Sequence, residues 1–141
     1  MKKINYEKLL YIFGPLILGG IVGLITSGSM KDFDGPIPGW VFPVVWSVLY
    51  ILMGISSYLV RDDKKLIRLY IIQLVVNLLW SFIFFSFNLK TLAFFWILGL
   101  IILVGIMMYE FYQKNKTSAY LLIPYIIWLV IAAFLNLSFI V

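Results

Sequence analysis

Five apolar stretches, each about as long as a bilayer is thick, constrain this chain more than anything else in it. They run approximately Leu9–Thr26, Val41–Val60, Leu66–Phe87, Leu92–Tyr112 and Ala119–Val141. A hydrocarbon core of ~30 Å takes about 20 residues of helix to cross. A backbone in lipid must satisfy its own hydrogen bonds, so runs of this length predict helices. The breaks are short, which favours antiparallel neighbours in one compact bundle. The expected fold is therefore an all-α membrane protein, a five-transmembrane-helix bundle forming a single domain over residues 1–141. Composition agrees: 64% of the residues are hydrophobic and 12% charged, against roughly 25% charged in soluble domains.

The basic residues set an orientation. Lys2, Lys3 and Lys8, then Arg61, Lys64, Lys65 and Arg68, then Lys114 and Lys116 fall on one side of the alternating spans; Lys31 and Lys90 fall on the other. Nine of eleven on one face predicts a cytoplasmic amino terminus and an outer carboxyl terminus in a plasma membrane. The net charge of +5 is then matched to an anionic membrane face rather than to nucleic acid. The basic start of the first span lacks a small-residue cleavage site after it, so that span reads as a retained helix.

Chemistry is bounded by absence. The chain has no Cys and no His, which removes disulfides, thiolate and imidazole catalysis, and the usual zinc ligands. No Asp, Glu, Lys or Arg lies well inside a span, whereas proton-coupled pumps and ion channels rely on such groups. No metal site and no cofactor is expected.

What remains inside is aromatic and amide. Gln73 and Asn77 stand four residues apart in the third span, on one helical face with Trp80, Ser81 and Phe84. An amide facing lipid has no partner, so this stripe should face protein or a cavity. Trp46, Tyr50 and Met53 share a face of the second span, and Tyr125, Trp128, Ala132 and Asn136 share one of the fifth. Trp46 fits either a satisfied core aromatic or a ligand wall. Asn136 fits either membrane depth or the outer interface. Pro124 is expected to kink the fifth span near its start and free a carbonyl. The fourth span reads as structural. Gly19 and Gly23 form a small-xxx-small pair suited to packing in the bundle or to a dimer contact. The longest break, Ser27 to Gly39, is turn-rich and stiffened by Pro36 and Pro38; it is either a plain connector or a lid. Trp46, Tyr50, Gln73, Asn77, Trp80, Tyr125 and Trp128 together suit a large, flat, mostly apolar ligand with a few polar edges. Without His or thiolate, haem iron would need Tyr or Met, which favours a metal-free porphyrin or a lipid-like molecule.

Three motifs carry a family resemblance. Trp40-x-x-Pro43-x-x-Trp46-x-x-Leu49-Tyr50-x-x-Met53-Gly54 resembles the second-helix signature of the tryptophan-rich sensory proteins, the TspO/MBR family, bacterial relatives of the mitochondrial translocator protein. Leu69-Tyr70-x-x-Gln73-Leu74-x-x-Asn77-x-x-Trp80-Ser81 is similar to the third-helix signature. Ala119-x-Leu121-Leu122-x-Pro124-Tyr125-x-x-Trp128, with Leu135-Asn136, resembles the fifth. The resemblance implies a five-helix bundle, often a homodimer, that binds porphyrins in a pocket under the first loop. The ligand-binding set it implies is Pro38, Trp46, Tyr50, Gln73, Asn77, Trp80, Tyr125, Trp128 and Ala132. In some bacterial members it also implies slow, light-dependent porphyrin breakdown, for which Trp46 and Trp128 would be the catalytic pair. The chain departs from the family at Gly35-Pro36-Ile37-Pro38, which replaces Trp-x-Pro-Pro, and it has no base after Lys116 to complete the animal sterol motif. Three functions follow as expectations: a porphyrin receptor or carrier in sensing or tetrapyrrole homeostasis, a photo-oxidative enzyme using the same pocket, and a ligand-free packing protein.

Overall fold

A computed structural model describes residues 6–30, 41–87 and 89–140, without the side chains of 26–30, 41–43 and 85. The described residues are helical almost throughout. Helix α1 spans Tyr6–Met30, α2 Val41–Leu59, α3 Lys64–Ser81, α4 Lys90–Lys114, α5 Lys116–Tyr120 and α6 Ile123–Ser138. A π-helical turn, Phe82–Ser86, extends α3. The segments Tyr6–Ile25, Lys64–Phe84, Lys90–Lys114 and Lys116–Ser138 are long and apolar enough to cross a membrane, and Val44–Leu59 is a shorter apolar helix. The 19 residues of α2 still reach about 28 Å at 1.5 Å per residue.

Local chemistry explains the boundaries. Asp63 caps α3: its Oδ1 accepts from the backbone N–H of Lys65 at 3.1 Å and of Leu66 at 3.2 Å, placing a carboxylate at the positive helix end. Asn115 caps α5 in the same way, accepting from Ser118 N–H at 3.1 Å. Three boundaries differ from the sequence expectation. α1 continues to Met30, so the first four residues of the expected loop are helical. The third span ends in wide turns, with Phe87 N–H donating to Phe82 C=O at 2.8 Å and Leu89 N–H to Ile83 C=O at 3.0 Å. The fifth span is two helices divided at Leu121–Leu122, with Pro124 in the first turn of α6, where a missing N–H costs nothing.

The core is mostly apolar but the surface is apolar too. Among the described residues the buried polar side chains are Ser56, Ser57, Gln73, Asn77, Ser118 and Asn136, while Leu, Ile and Phe populate the exposed surface. This suits a hydrocarbon solvent. α4 is the central strut: Ala93, Ile97, Leu100, Val104, Met107 and Phe111, alternately four and three residues apart, are all buried. Trp96 ties it to α3 through Nε1–H to Val76 C=O at 2.8 Å. Ser56 and Ser118 clasp α2 to α5, each hydroxyl lying 2.8 Å from the other's carbonyl oxygen.

Helix α1 lies along α2, and glycines set the approach. A Cβ on Gly54 would collide with the carbonyl oxygens of Tyr11 and Ile12, and one on Gly19 with the ring of Tyr50; a Cβ on Gly23 would meet nothing within 4 Å. Gly19 therefore packs inside the bundle with Gly54 as its counterpart.

Charged residues mark both ends of the bundle; Lys2, Lys3 and Lys31 lie outside the described residues. Arg61 pairs with Glu7 at 3.9 Å and Lys65 with Glu110 at 3.7 Å, which brings the amino terminus, the α2–α3 turn and the end of α4 to one end. Lys90 lies at the other, its Nζ 3.5 Å from the Phe84 ring centroid and 5.1 Å from that of Phe139.

Candidate functional site: an aromatic cluster on three helices

Trp46 on α2 is the hub. It is partly exposed and makes ring contacts with residues from its own helix and two others. It stacks on Tyr50, with centroids 5.6 Å apart at 25°. It meets Trp80 of α3 at 6.5 Å, Tyr125 of α6 at 6.4 Å, and Trp128 of α6 edge-on at 6.4 Å and 88°. These separations lie in the range where ring quadrupoles interact favourably. Trp80 is backed by Phe84, stacked at 4.9 Å and 20°. Because the rings come from three helices, α2, α3 and α6 meet here through side chains rather than backbone.

Beneath the rings a hydrogen-bonded chain runs through the bundle. Tyr50 O–H donates to Asn77 Oδ1 at 2.7 Å, Asn77 Nδ2–H to the Tyr125 hydroxyl at 2.9 Å, and Tyr125 O–H to Gln73 Oε1 at 2.9 Å. Gln73 Nε2–H ends it on Met53 Sδ at 3.8 Å. All five residues are buried. The amide pair thus spends its polar capacity on two tyrosine hydroxyls, fixing both rings behind Trp46. A second pair of bonds secures the other flank: Trp80 Nε1–H donates to Asn136 Oδ1 at 3.3 Å, and Asn136 Nδ2–H to Lys90 C=O at 2.7 Å. Asn136 accordingly belongs at the Lys90 end of the bundle.

Seven of the sequence-selected residues, Trp46, Tyr50, Gln73, Asn77, Trp80, Tyr125 and Trp128, converge. Ala132 is buried one turn beyond Trp128 on the same face of α6. Pro38, Trp40 and the stiff centre of the first loop lie outside the described residues. Sequence reasoning left Met53 and Phe84 out of the site, although the helical period that selected Tyr50 and Trp80 also passes through them. Lys90 as an aromatic-bound neighbour had no local signal. The cluster holds no ionisable acid or base other than tyrosine, and among the described residues no three acidic, His or Cys side chains gather to hold a metal.

The profile of the TspO/MBR family matches residues 11–141, nearly the whole chain, and includes every helix that builds this cluster. The chain belongs to the TspO/MBR family. Among its relatives, the tryptophan-rich protein TspO of Chlorobaculum tepidum is 34% identical over 108 residues, covering 72% of this chain and 68% of that protein. The tryptophan-rich sensory protein of Cereibacter sphaeroides is 31% identical over 102 residues, 70% of this chain and 65% of its own length. The translocator protein of Bos taurus is 31% identical over 111 residues, 70% of this chain and 63% of its own. The matched segments thus span about two thirds of these TspO/MBR proteins. The apolar helices and the family together make the chain an integral, multi-pass membrane protein.

Proposed function

We propose that this TspO/MBR protein binds a flat, largely apolar molecule of the porphyrin class against Trp46, as a receptor or carrier in sensing or tetrapyrrole homeostasis. The observation that carries the reading is the partly exposed Trp46 ring, contacted by four aromatic rings from three helices. Such a surface offers stacking area held rigid by Asn77 and Gln73, so little ordering cost remains for binding. Trp46 offers the stacking face, with the buried rings of Tyr50, Trp80, Tyr125 and Trp128 behind it, Gln73 and Asn77 bonded to the two tyrosines and Ala132 one turn beyond Trp128; Pro38, outside the described residues, is assigned to the same ligand set. Titration of purified protein with protoporphyrin IX tests the reading. Saturable quenching of tryptophan fluorescence with a porphyrin absorbance shift at micromolar ligand is expected; unchanged spectra would refute it.

The edge-on contact of Trp46 and Trp128 favours a second reading, light- and oxygen-dependent porphyrin breakdown. An excited porphyrin and dioxygen generate reactive species beside two oxidisable indoles. Illumination should then yield a bilin-like product that Trp46→Phe or Trp128→Phe abolishes; product indifferent to both changes would leave binding alone.

The amino terminus is proposed to be cytoplasmic, on the positive-inside asymmetry. Because the chain has no cysteine, single cysteines placed at either terminus report sidedness by impermeant labelling. A homodimer is proposed through α1, whose apolar residues Leu10, Ile17, Ile21 and Leu24 are exposed; cross-linking from those positions should capture it.

A further inference from the structure

A groove between the end of α4 and the α5–α6 junction, at the basic end of the bundle, is not used by the aromatic cluster. It has a volume of about 230 Å³ and is lined by Met108, Tyr109, Tyr112, Ala119, Tyr120 and Ile123. That is below the ~300–1,000 Å³ of sites that enclose a drug-sized molecule, so it suits an extended chain better than a ring system. Gly105 lies one turn before Tyr109 on the same side of α4, and a Cβ there would touch nothing within 4 Å.

The rim is of different chemistry. Tyr112 and Tyr120 meet edge-on at 6.1 Å, and Lys116 Nζ lies 5.7 Å from the Tyr112 ring centroid. Lys116 is exposed and forms no ion pair among the described residues, whereas the acid on the preceding turn of α4, Glu110, is paired with Lys65. Lys114, three residues past Phe111, continues the face of the buried strut and lies away from the groove. An apolar trough whose rim carries two tyrosines and a lysine matches one class of membrane molecule in both shape and charge. We infer that this groove is a binding site for an anionic glycerophospholipid, with an acyl chain along Met108 and Ile123 and the phosphate at Lys116. A neutral lipid would fill the trough equally well but gain nothing from the lysine.

Native mass spectrometry of the full chain in detergent, with dioleoyl phosphatidylglycerol and dioleoyl phosphatidylcholine added in equal amounts, tests the site. One lysine beside an anionic headgroup is worth about a fivefold change in affinity, so Lys116 predicts a preference of about fivefold for phosphatidylglycerol. The surface variant Lys116→Gln should erase that preference without disturbing the fold, and Lys114→Gln should leave it in place. Ile123→Trp, which fills the trough, should lower retention of both lipids while porphyrin binding persists. Equal retention of the two lipids by the unaltered chain would overturn the inference, as would a preference that survives Lys116→Gln. A dimer lost on Ile123→Trp, with lipid retention unchanged, would assign the groove to a second copy and overturn it equally.

Discussion

Asn77 is the joint on which the buried polar chain turns, and replacing it with Leu isolates what that chain contributes. Leu keeps the same number of heavy atoms and the same branching, so the loss is chiefly of hydrogen bonds. Asn77 accepts from Tyr50 at 2.7 Å and donates to Tyr125 at 2.9 Å. Tyr125 keeps its bond to Gln73 at 2.9 Å, so the damage falls on the buried Tyr50 hydroxyl. A stranded buried hydroxyl costs about 1–3 kcal/mol in a protein interior. Hydrogen bonds measured inside a membrane bundle average ~0.6 kcal/mol and reach ~1.7. The expected loss is therefore about 1–2 kcal/mol. Tyr50→Phe should cost a similar amount by stranding the Asn77 carbonyl. Combining the two removes both ends of one bond, so the double variant should lose less than the sum of the singles by about 1 kcal/mol. Reversible unfolding in mixed micelles, followed by circular dichroism against increasing sodium dodecyl sulfate, measures all four corners of the cycle. Additivity of the singles to within ~0.3 kcal/mol, the behaviour of independent sites, would refute the coupling.

Other expectations follow from the packing. Gly54→Ala should destabilise by about 1–3 kcal/mol, because its Cβ meets the backbone of α1 at Tyr11 and Ile12 rather than a movable side chain; the same assay should find Gly20→Ala neutral or stabilising by up to about 1 kcal/mol, since nothing lies within 4 Å and alanine is the better helix former. Ser56→Ala and Ser118→Ala should each cost about 0.5–1.5 kcal/mol through the α2–α5 clasp, read as earlier unfolding of each variant on heating in detergent.

Much of this architecture was legible because helices impose a simple period. The four-residue spacing of Gln73 and Asn77 placed both amides inward, and the faces holding Tyr50 with Met53 and Tyr125 with Trp128 are buried as that period requires. The spacing could not reveal what the amides face. That depends on how far α2 and α6 stand from α3, a tertiary quantity, and it turns groups expected at a ligand's polar edge into supports for two tyrosines. The glycine contacts were hidden for the same reason. Gly19 and Gly23 look alike in sequence, yet only Gly19 meets a ring, and the tightest approach is at Gly54. Hydropathy reported the fifth span as continuous because apolar character does not distinguish one helix from two. The division at Leu121–Leu122 follows instead from the Asn115 cap and from Pro124, whose ring suits the start of α6 rather than the middle of a longer helix.

The account stands on Trp46 as the stacking surface, and a paired comparison of porphyrin affinity tests it most directly. Trp96, which bonds to Val76 C=O and contacts none of the rings around Trp46, serves as the matched indole. Protoporphyrin binding should weaken about tenfold or more in Trp46→Leu, on the ~1–3 kcal/mol that aromatic stacking of a planar base contributes, and should be unchanged in Trp96→Leu. Equal affinities in the two variants would contradict the account.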